Sequence, residues 1–434
     1  KIRRREIIDN LERYHVRVRS LPSISELAEG SVDISDLHVI SIEDLLGRES
    51  ANPEKNILST NIKDKTVLVT GAGGSIGSEL CRQIIKLKPK ALVLFEISEV
   101  SLYSIHKDLV KIEGNIDILP VLGSVKNKKR FSQILKRYNV KTIYHAAAYK
   151  HVPMVEFNSF EGINNNIFGT LNCAQAAINN GIETFVLVST DKAVRPTNIM
   201  GVSKRFSELI LQALSANQSK TKFTIVRFGN VLGSSGSVFP LFQEQIKDGG
   251  PITVTHPDMT RYFMTKSEAV DLVIQAGSMG KGGDVFVLDM GAPVKILDLA
   301  KKMIHLSGLR VKADKSSLGD IEIKFTGLRP GEKLYEELLI GSNVSPTLNS
   351  KIMSANEDMI LWKDLQKILD DLKYKIDNFD QNRLQELLIK IMPEYKPKGL
   401  VDAASITSYI SISNFSAISN SKLTSVVQVV DPVR

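Results

Sequence analysis

A regular alternation of apolar strands and amphipathic helices begins near residue 62 and constrains the fold more than any other feature of the sequence. Strand-like KTVLVTG precedes a predicted helix from Ser75 to Lys86, and the strand-like runs ALVLFE, IDILPVLG, TIYHAAA and TFVLVST follow, separated by helical segments. Strands that are apolar along their whole length are typical of parallel sheets covered by helices on both faces. The sequence therefore predicts an α/β fold with a doubly wound parallel (Rossmann) sheet.

The first strand of this alternation runs into a glycine-rich turn, TGAGGSIG, that opens the first helix. Gly71 permits the tight turn, Gly74 lets the backbone approach a pyrophosphate, and Gly77 lets helix and strand pack closely. The strand–turn–helix context favours a dinucleotide site over a purely structural turn. Glu96 ends the second strand, where a carboxylate binds ribose hydroxyls and repels a 2′-phosphate, so NAD is favoured over NADP. A solvated carboxylate at a strand end is the alternative.

Composition argues against several classes of protein. The net charge of +8 is spread along the chain, and because only 6% of residues are aromatic, the basic clusters at 1–5 and 126–130 are interpreted as solvated faces and no nucleic-acid partner is expected. Cys81 and Cys173 show no metal-ligand spacing, so no metal site is predicted and a reducing compartment is the simpler interpretation. No apolar run approaches the roughly 18 residues that a membrane span requires.

A cluster of reactive groups follows the fifth strand, in STDKAVRPTNIMGVSK at 189–204. Thr190, Asp191 and Lys192 bring a hydroxyl, an acid and a base together at the end of a buried strand, where charged groups cost free energy unless they are paired or used. A weak surface ion pair is the alternative. Met200 stands four residues before Lys204, and its thioether cannot accept or deliver a proton.

Six motifs in this order resemble those of the extended short-chain dehydrogenase/reductase family. They are TGAGGSIGSEL, YHAAAYKHVPMVE, STDKAVRPTNIMGVSKR, VRFGNVLGSSGSVFPLF, TRYFMT and TGLRPGEKLYEELL. Within the family they are similar to the bacterial UDP-N-acetylglucosamine 4,6-dehydratases of polysaccharide biosynthesis and protein glycosylation, in the large membrane-attached subgroup. The resemblance implies a lyase that retains NAD and forms UDP-2-acetamido-2,6-dideoxy-4-hexulose, by oxidation at C4, removal of the C5 proton, loss of the C6 hydroxyl and return of the hydride to C6.

The resemblance also implies a role for each reactive residue. Asp191 protonates the leaving O6, Lys192 is the base at C5, and Thr190 hydrogen-bonds the C4 oxygen. These roles require a protonated acid and a neutral amine, and the two groups titrate as a coupled pair. Lys204 binds the nicotinamide ribose. Most of the superfamily has a tyrosine where this chain has Met200, a departure shared by large dehydratases, so the O4 proton is expected to leave through Thr190 and Asp191 or through water. The Met-containing group favours retention of configuration at C5.

Two further sets of residues are implied around the ligands. Serine and valine at 124 and 125 stand where the family often has an acid that reads adenine, so that contact is expected to be weaker. The cofactor set is Gly71, Gly74, Ser75, Ile76, Gly77, Glu96, Ser98, Ser124, Val125, Ala146, Ala147 and Lys204. The substrate set places arginines on phosphates, a glutamate on the uridine ribose and an asparagine that supports the active site: Lys150, Asn166, Asn230, Arg261, Arg329 and Glu332.

The same resemblance guides the division of the chain. Residues 1–60 are predicted to be the C-terminal remnant of an upstream α/β domain plus a linker, 61–229 an NAD-binding domain with the catalytic residues, and 230–355 a nucleotide-sugar-binding part. Residues 356–400 have the spacing of amphipathic helices, and 401–434 are predicted to be an atypical, flexible tail. The implied parent is attached to the membrane only through a segment outside this chain, at the cytoplasmic face of the bacterial inner membrane. A homo-oligomer is expected.

Two other functions stay open at this stage. A UDP-sugar 4-epimerase uses the same oxidation at C4 but needs neither a base at C5 nor an acid at O6, so Thr190, Asp191 and Lys192 argue against it. A non-catalytic NAD-sensing assembly protein would be expected to have lost such costly groups, and Asp191, Lys192 and Lys204 are all present.

Overall fold

The computed structural model describes residues 59–112, 116–234, 236–312, 319–338 and 344–397; before residue 59 it describes 6–8, 10, 11, 14, 16, 18–20, 38 and 39. These residues all belong to one compact unit, Lys1–Lys398. In the N-terminal part, Arg19–Ser20 pairs antiparallel with His38–Val39. The expectations for residues 401–434, and most of those for 1–60, lie outside the described residues.

A twisted central sheet organises the described part of the chain. Its nine strands are β1 (Thr66–Thr70), β2 (Ala91–Glu96), β3 (Asp117–Leu122), β4 (Thr142–His145), β5 (Thr184–Val188), β6 (Lys222–Arg227), β7 (Asp284–Leu288), β8 (Val344–Pro346) and β9 (Ile352–Ala355). The spatial order is β8-β9-β7-β6-β5-β4-β1-β2-β3. All pairs from β7 to β3 are parallel, whereas β9 pairs antiparallel with both β7 and β8. The predicted fold class is confirmed.

Helices cover both faces of this sheet. They are α1 (Ser75–Lys86), α2 (Glu99–Val110), α3 (Lys128–Arg137), α4 (Val152–Phe157), α5 (Ser159–Ile163), α6 (Gly169–Asn179), α7 (Ile199–Ala216), α8 (Val238–Lys247), α9 (Lys266–Met279), α10 (Ile296–Leu306), α11 (Trp362–Asp377) and α12 (Gln381–Ile391). A π-helical turn, Asn164–Phe168, joins α5 to α6. The helix predicted from Ser75 to Lys86 is confirmed at both ends.

The apolar runs form strands because each is buried between two layers of helices. Every residue of β1, β2 and β4 is buried, and the apolar side chains divide between one core under α3, α6 and α7 and a second core under α1, α2 and α9. The edge strand β3 is the exception, since one side of it has no neighbouring strand and most of its residues stay partly exposed. Strands that are buried on both faces in this way are typical of parallel sheets.

The chain after β6 adds small elements at the carboxyl end of the sheet. Asn230–Val231 pairs parallel with Phe263–Met264, Thr260–Arg261 pairs antiparallel with Val294–Lys295, and Ile252–Val254 pairs with Ile321–Phe325, which also pairs with Val311–Lys312. A third apolar core lies among them. This region also contributes β7, β8 and β9, so the sheet itself continues past the predicted boundary at residue 229.

Helices α11 and α12 return to the side of the sheet covered by α7. Their apolar residues recur at helical spacing, and Leu365, Leu369, Leu372 and Ile376 are buried in the same core as the inner face of α7. The helices predicted between 356 and 400 are confirmed. Across the residues that the structure describes, no helix combines the length and apolarity needed to cross a bilayer.

Candidate active site

The carboxyl ends of the central strands open onto a single large cavity of about 830 Å³. Ligands of doubly wound sheets bind at this edge. The cavity is lined by fourteen of the residues predicted from sequence: Gly74, Ser75, Ile76, Gly77, Ala146, Lys150, Thr190, Lys192, Met200, Lys204, Asn230, Arg261, Arg329 and Glu332. Residues separated by more than 250 positions in the chain are thus brought to one place, from Gly74 to Glu332.

The glycine loop has the geometry that a pyrophosphate-binding turn requires. Gly71 has φ of +65°, which L side chains rarely adopt, and a Cβ there would lie 2.9 Å from the Ala147 backbone. A Cβ on Gly77 would lie 1.9 Å from the Gly71 carbonyl oxygen, so α1 can start against the turn only with glycine at that position. Gly74 caps α1 without a side chain and lines the cavity. The first N–H groups of α1 therefore face the cavity, as a phosphate requires.

Glu96 lies directly behind this loop and is almost completely buried. One carboxylate oxygen accepts a hydrogen bond from the Gly73 N–H at 2.9 Å, and the other accepts from the Ile97 and Ser98 N–H groups at 2.9 and 3.1 Å. The predicted ribose ligand thus also holds the glycine loop against the end of β2. Its remaining lone pair leaves room for one further donor.

Several residues of the predicted cofactor set lie outside the cavity lining. Ser98 and Ser124 accept hydrogen bonds from the backbone N–H groups of Ser101 and Lys126, and Val125 is buried in the core beside Gly169. Ala147 contacts the glycine loop through its backbone. These positions support the surrounding backbone, and their contact with a dinucleotide stays a prediction.

The acid, base and hydroxyl predicted after β5 form one hydrogen-bonded group. Thr190 Oγ1 donates to Asp191 Oδ1 at 2.9 Å, and Lys192 Nζ donates to the same oxygen at 3.0 Å. The Asp191 side chain is fully buried, and its Oδ2 has no hydrogen-bond partner in the structure as described. Thr190 and Lys192 line the cavity whereas Asp191 does not. Thr190 and Lys192 thus connect Asp191 Oδ1 to the cavity by hydrogen bonds.

The charge on Lys192 differs from what its predicted role as a base requires. Burial lowers the pKa of this amine, but the nearby carboxylates of Asp191 and Glu336 outweigh burial and hold the pKa above its ordinary value. The raised pKa favours a protonated Lys192 in the absence of substrate, so its role as a base, which stays a prediction, requires this amine to lose its proton first. The physical reason is that Lys192 Nζ lies 3.0 Å from one carboxylate and 3.5 Å from another.

Helix α7 brings Met200 and Lys204 to the cavity. Asn198 caps the helix by accepting a hydrogen bond from the Gly201 N–H, and a Cβ on Gly201 would lie 2.2 Å from the Lys192 carbonyl oxygen. Glycine next to Met200 thus allows α7 to begin against the Asp191–Lys192 turn. Lys204 Nζ donates to the Val188 carbonyl at 2.7 Å, and burial lowers its pKa to about 8.

A buried polar network supports this helix from below. Ser189 Oγ donates to Glu208 at 2.6 Å, and Glu208 is paired with Arg205 and Arg227, which hold the pKa of Glu208 at about 2 against the effect of burial. Both arginines also pair with Glu357. The network joins β5, β6, α7 and the segment after β9 directly behind the candidate active site.

Two predicted substrate residues have different surroundings. Asn166, in the π-helical turn, accepts from the Tyr149 N–H and donates to the Tyr149 carbonyl and to Ser203 Oγ, so its amide supports the backbone and does not line the cavity. Lys150 lines the cavity, and much of its surface is exposed. Partial desolvation of its amine and the positive charges of Lys266 and Lys192 lower its pKa. Asn166 is therefore a supporting residue in this structure.

Arg261 and Glu332 both line the cavity and lie close to each other. The two Nη atoms of Arg261 donate to the carbonyls of Thr260, Lys333 and Leu334. Glu332 Oε1 lies 3.5 Å from Arg261 Nη2. The guanidinium is thus held by protein acceptors, and its predicted contact with phosphate stays a prediction. Arg329 and Glu332 line the same cavity, and Asn230 lies at the reactive group, where its Oδ1 accepts a hydrogen bond from Lys192 Nζ at 3.3 Å.

Sequence reasoning missed one buried carboxylate beside the reactive group. Glu336 Oε1 lies 3.5 Å from Lys192 Nζ and 3.8 Å from Arg261 Nε. The motif TGLRPGEKLYEELL contains Glu336, but the segment forms turns and has no periodicity that would predict which of its carboxylates faces Lys192. Among the described residues, no group of three or more histidine, cysteine, aspartate or glutamate side chains is placed to hold a metal ion.

The fold and the site define an extended short-chain dehydrogenase/reductase, with a dinucleotide-type loop and a Thr–Asp–Lys group facing one cavity. The chain belongs to the family described as "Polysaccharide biosynthesis protein", whose sequence profile matches residues 67–357. It is 48% identical over 374 residues to "Capsular polysaccharide biosynthesis protein CapD" of Staphylococcus aureus, covering 86% of this chain. The chain spans 61% of the length of that relative.

Other similar proteins bear the names of two activities. A "UDP-glucose 4-epimerase" of Rickettsia akari is 36% identical, over 65% of this chain and 80% of its own. Among solved structures, Pen from Bacillus thuringiensis is 34% identical with a TM-score of 0.60, covering 69% of this chain and 90% of Pen. A dTDP-glucose 4,6-dehydratase from Streptomyces venezuelae with NAD bound is 20% identical with a TM-score of 0.51, covering 60% and 84%, and shares the fold.

Proposed function

We propose that this chain is the catalytic part of an NAD-dependent dehydratase that converts UDP-N-acetylglucosamine to the 4-keto-6-deoxy sugar UDP-2-acetamido-2,6-dideoxy-4-hexulose. The observation that carries the proposal is the hydrogen-bonded group of Thr190, Asp191 and Lys192, in which Thr190 and Lys192 line the same cavity as the glycine loop. An epimerase needs one proton relay at C4. Elimination across C5 and C6 also needs a base and an acid. Lys192 and Asp191 are such a pair.

The residues around the glycine loop fit NAD. The backbone from Gly74 to Gly77 offers N–H groups to a pyrophosphate, Glu96 is buried behind the loop and has one acceptor position left, and Lys204 carries a positive charge at the end of β5. When bound, NAD supplies the reversible hydride acceptance that oxidation at C4 and reduction at C6 require. A buried carboxylate at the position of Glu96 disfavours a 2′-phosphate, so we propose NAD over NADP.

The proton chemistry follows from the contacts of Asp191. In the resting pair the proton is on Lys192, since the pKa of that amine is raised. Transfer of this proton across the 3.0 Å contact gives a neutral amine and a protonated carboxyl, the two states that deprotonation at C5 and protonation of O6 require. Because Asp191 then already holds the proton from Lys192, the proton of O4 leaves through Thr190 Oγ1, which lines the cavity, to water.

We place the UDP part of the substrate beside Arg329 and Glu332, which line the cavity. Arg329 offers donors to phosphate oxygens, and Glu332 offers an acceptor to ribose hydroxyls. Asn230 Oδ1 accepts from Lys192 Nζ at 3.3 Å, and Lys150 is near enough for the charge of Lys192 to lower its pKa, so we place both beside the sugar. The net charge of +8 also favours a substrate that carries phosphates. The relative named for capsular polysaccharide biosynthesis supports a role in surface polysaccharide or glycan production. We propose a homo-oligomer at the cytoplasmic face of the bacterial inner membrane.

The alternative is a UDP-sugar 4-epimerase, which the name of the Rickettsia relative supports. One experiment separates the two: the chain is incubated with NAD and UDP-N-acetylglucosamine, and the sugar is followed by NMR. A 6-deoxy-4-keto product supports the dehydratase, and the C4 epimer supports the alternative. Tight NAD binding without turnover of the sugar indicates a non-catalytic NAD-binding protein. The Lys192→Met variant is the matched control, because an epimerase keeps its turnover when the C5 base is removed.

A further inference from the structure

Five side chains of alternating charge form a row that begins at Asp191, after β5, and ends at Glu332. Lys192 Nζ lies 3.0 Å from Asp191 and 3.5 Å from Glu336. Arg261 then lies 3.8 Å from Glu336 and 3.5 Å from Glu332. Glu336 is the middle member and the only one of the five outside the predicted site residues. It connects the proposed base to the arginine of the proposed substrate set.

Glu336 is held at this place by contacts that do not involve its own carboxylate. Thr197 Oγ1 and Asn198 Nδ2 donate to the Gly331 carbonyl at 2.8 and 3.0 Å. Lys333 Nζ donates to the Val194 carbonyl at 2.9 Å, and Arg195 pairs with Glu337 at 2.7 Å. The segment 331–337 is therefore tied to the turn that carries Asp191 and Lys192. A change confined to the Glu336 carboxylate leaves these contacts in place.

The carboxylate of Glu336 is only partly used by the surrounding protein. Its side chain is 3% exposed, and Oε2 is buried without a hydrogen-bond partner among the residues described. A buried acceptor left unpaired is costly and calls for a functional reason. The two carboxylates on either side of Lys192 in the row, Asp191 and Glu336, thus each have one buried oxygen without a hydrogen-bond partner among the residues described.

We propose that Glu336 is a positioning residue that holds the Lys192 ammonium between two carboxylates and keeps it aimed at the cavity. The proposal rests on the proposed function, in which Lys192 is the base at C5. The charged groups that face Lys192 are Asp191, Glu336, Arg261 and Lys150. Asp191 alone would draw the amine towards the buried end of β5. Glu336 lies on a different segment and opposes that pull, and Arg261 balances its charge.

The proposal is tested by measuring the protonation of Lys192 directly. Competitive acylation of lysines over a range of pH, with mass spectrometry of the peptide that contains Lys192, gives the pKa of this amine without substrate. Glu336→Gln is expected to lower that pKa by about one, a roughly tenfold change in proton affinity, because one carboxylate near the amine is lost. Glu336→Asp keeps the charge but moves it away from Nζ, so a smaller fall is expected, and this variant serves if Glu336→Gln does not fold.

Glu337→Gln is the matched control, since it removes the same charge one residue away. Glu337 pairs with Arg195 and Lys333 and does not touch Lys192. In Glu337→Gln the pKa of Lys192 is expected to equal that in the wild type. An unchanged pKa in both Glu336 variants, or an equal fall in Glu337→Gln, overturns the proposal.

Turnover of UDP-N-acetylglucosamine separates this proposal from the proposed function. In Glu336→Gln the rise of kcat with pH is expected to move to lower pH by the same amount as the labelled pKa. A pKa that falls in a chain that forms no keto sugar supports the role of Glu336 and contradicts the dehydratase. A keto product whose pH profile is the same in wild type and Glu336→Gln contradicts the role of Glu336 alone.

Discussion

Lys192 Nζ lies 3.0 Å from Asp191 Oδ1, and the other oxygen of that carboxylate has no hydrogen-bond partner among the described residues. The two residues are adjacent in the chain, yet only Lys192 reaches the cavity. We therefore expect the two side chains to act at different steps. Lys192→Met keeps the length of the side chain and removes the base, so exchange of the C5 proton with solvent is expected to fall by about 10²- to 10⁴-fold. Oxidation at C4, followed by the absorbance of reduced nicotinamide, persists.

Asp191→Asn is expected to affect the following step. The amide keeps the shape of the buried side chain but cannot deliver a proton to O6, so C5 exchange continues while the 6-deoxy product is reduced by about 10²-fold or more. The two rates are measured in one NMR experiment in deuterated water. Loss of C5 exchange in Asp191→Asn, with normal exchange in Lys192→Met, would reverse the two assignments.

Met200 is buried and lines the cavity where most of the superfamily has a tyrosine. Because the proposed route for the O4 proton runs through Thr190, Met200→Tyr is expected to leave the rate of C4 oxidation unimproved, and the larger ring costs about 1–3 kcal/mol of stability where the core cannot expand. Single-turnover absorbance of the nicotinamide measures the rate. A gain of about 10²-fold or more would show that a tyrosine relay is the better path and that the Thr190 route is not the efficient one.

The glycine loop offers a matched pair of variants. A Cβ on Gly77 would lie 1.9 Å from the Gly71 carbonyl oxygen, whereas a Cβ on Gly74 would lie 3.2 Å from it. Gly77→Ala is expected to lower both the melting temperature and NAD affinity, because α1 must move away from β1. Gly74→Ala is expected to lower NAD affinity with a much smaller change in melting temperature. Calorimetry with and without NAD measures both, and equal NAD binding in Gly74→Ala and wild type would contradict the placement of the pyrophosphate.

Much of this fold can be predicted from sequence because the strands from β1 to β5 are largely apolar runs that end in turns or loops. The antiparallel strands β8 and β9 could not be predicted, because their sequences VSP and IMSA carry no apolar pattern. They become strands because β9 pairs with β7 and β8 pairs with β9. The glycine loop and the Thr190–Lys192 group are recognisable because their function depends on local order in the chain. Glu336 is not, because its role depends on which of three nearby carboxylates, Glu332, Glu336 or Glu337, faces Lys192.

His145, at the end of β4, makes a prediction about pH. Burial and the charge of Lys204 lower its pKa to about 3, and both ring nitrogens lie within hydrogen-bonding distance of threonine hydroxyls. Between pH 3 and the ordinary value of 6.5 the unfolded chain binds the proton more strongly than the folded chain does. Stability contributed by this residue is therefore complete above pH 6.5 and is lost as pH falls, by at most about 1.4 kcal/mol per pH unit.

The variant His145→Asn removes this titration. The difference in free energy of unfolding between wild type and variant is expected to shrink as pH falls from 7 towards 5 by about 1–2 kcal/mol. A difference that stays constant over this range would mean that His145 accepts a proton in the folded protein.

The central claim is that this site dehydrates a UDP-sugar by moving hydrogen from C4 to C6. UDP-N-acetylglucosamine carrying deuterium at C4 is the most direct test, with the products analysed by NMR. The account predicts a 4-keto product with the deuterium at C6. Deuterium found again at C4, in a mixture of the two C4 epimers, would contradict it and assign the site to an epimerase.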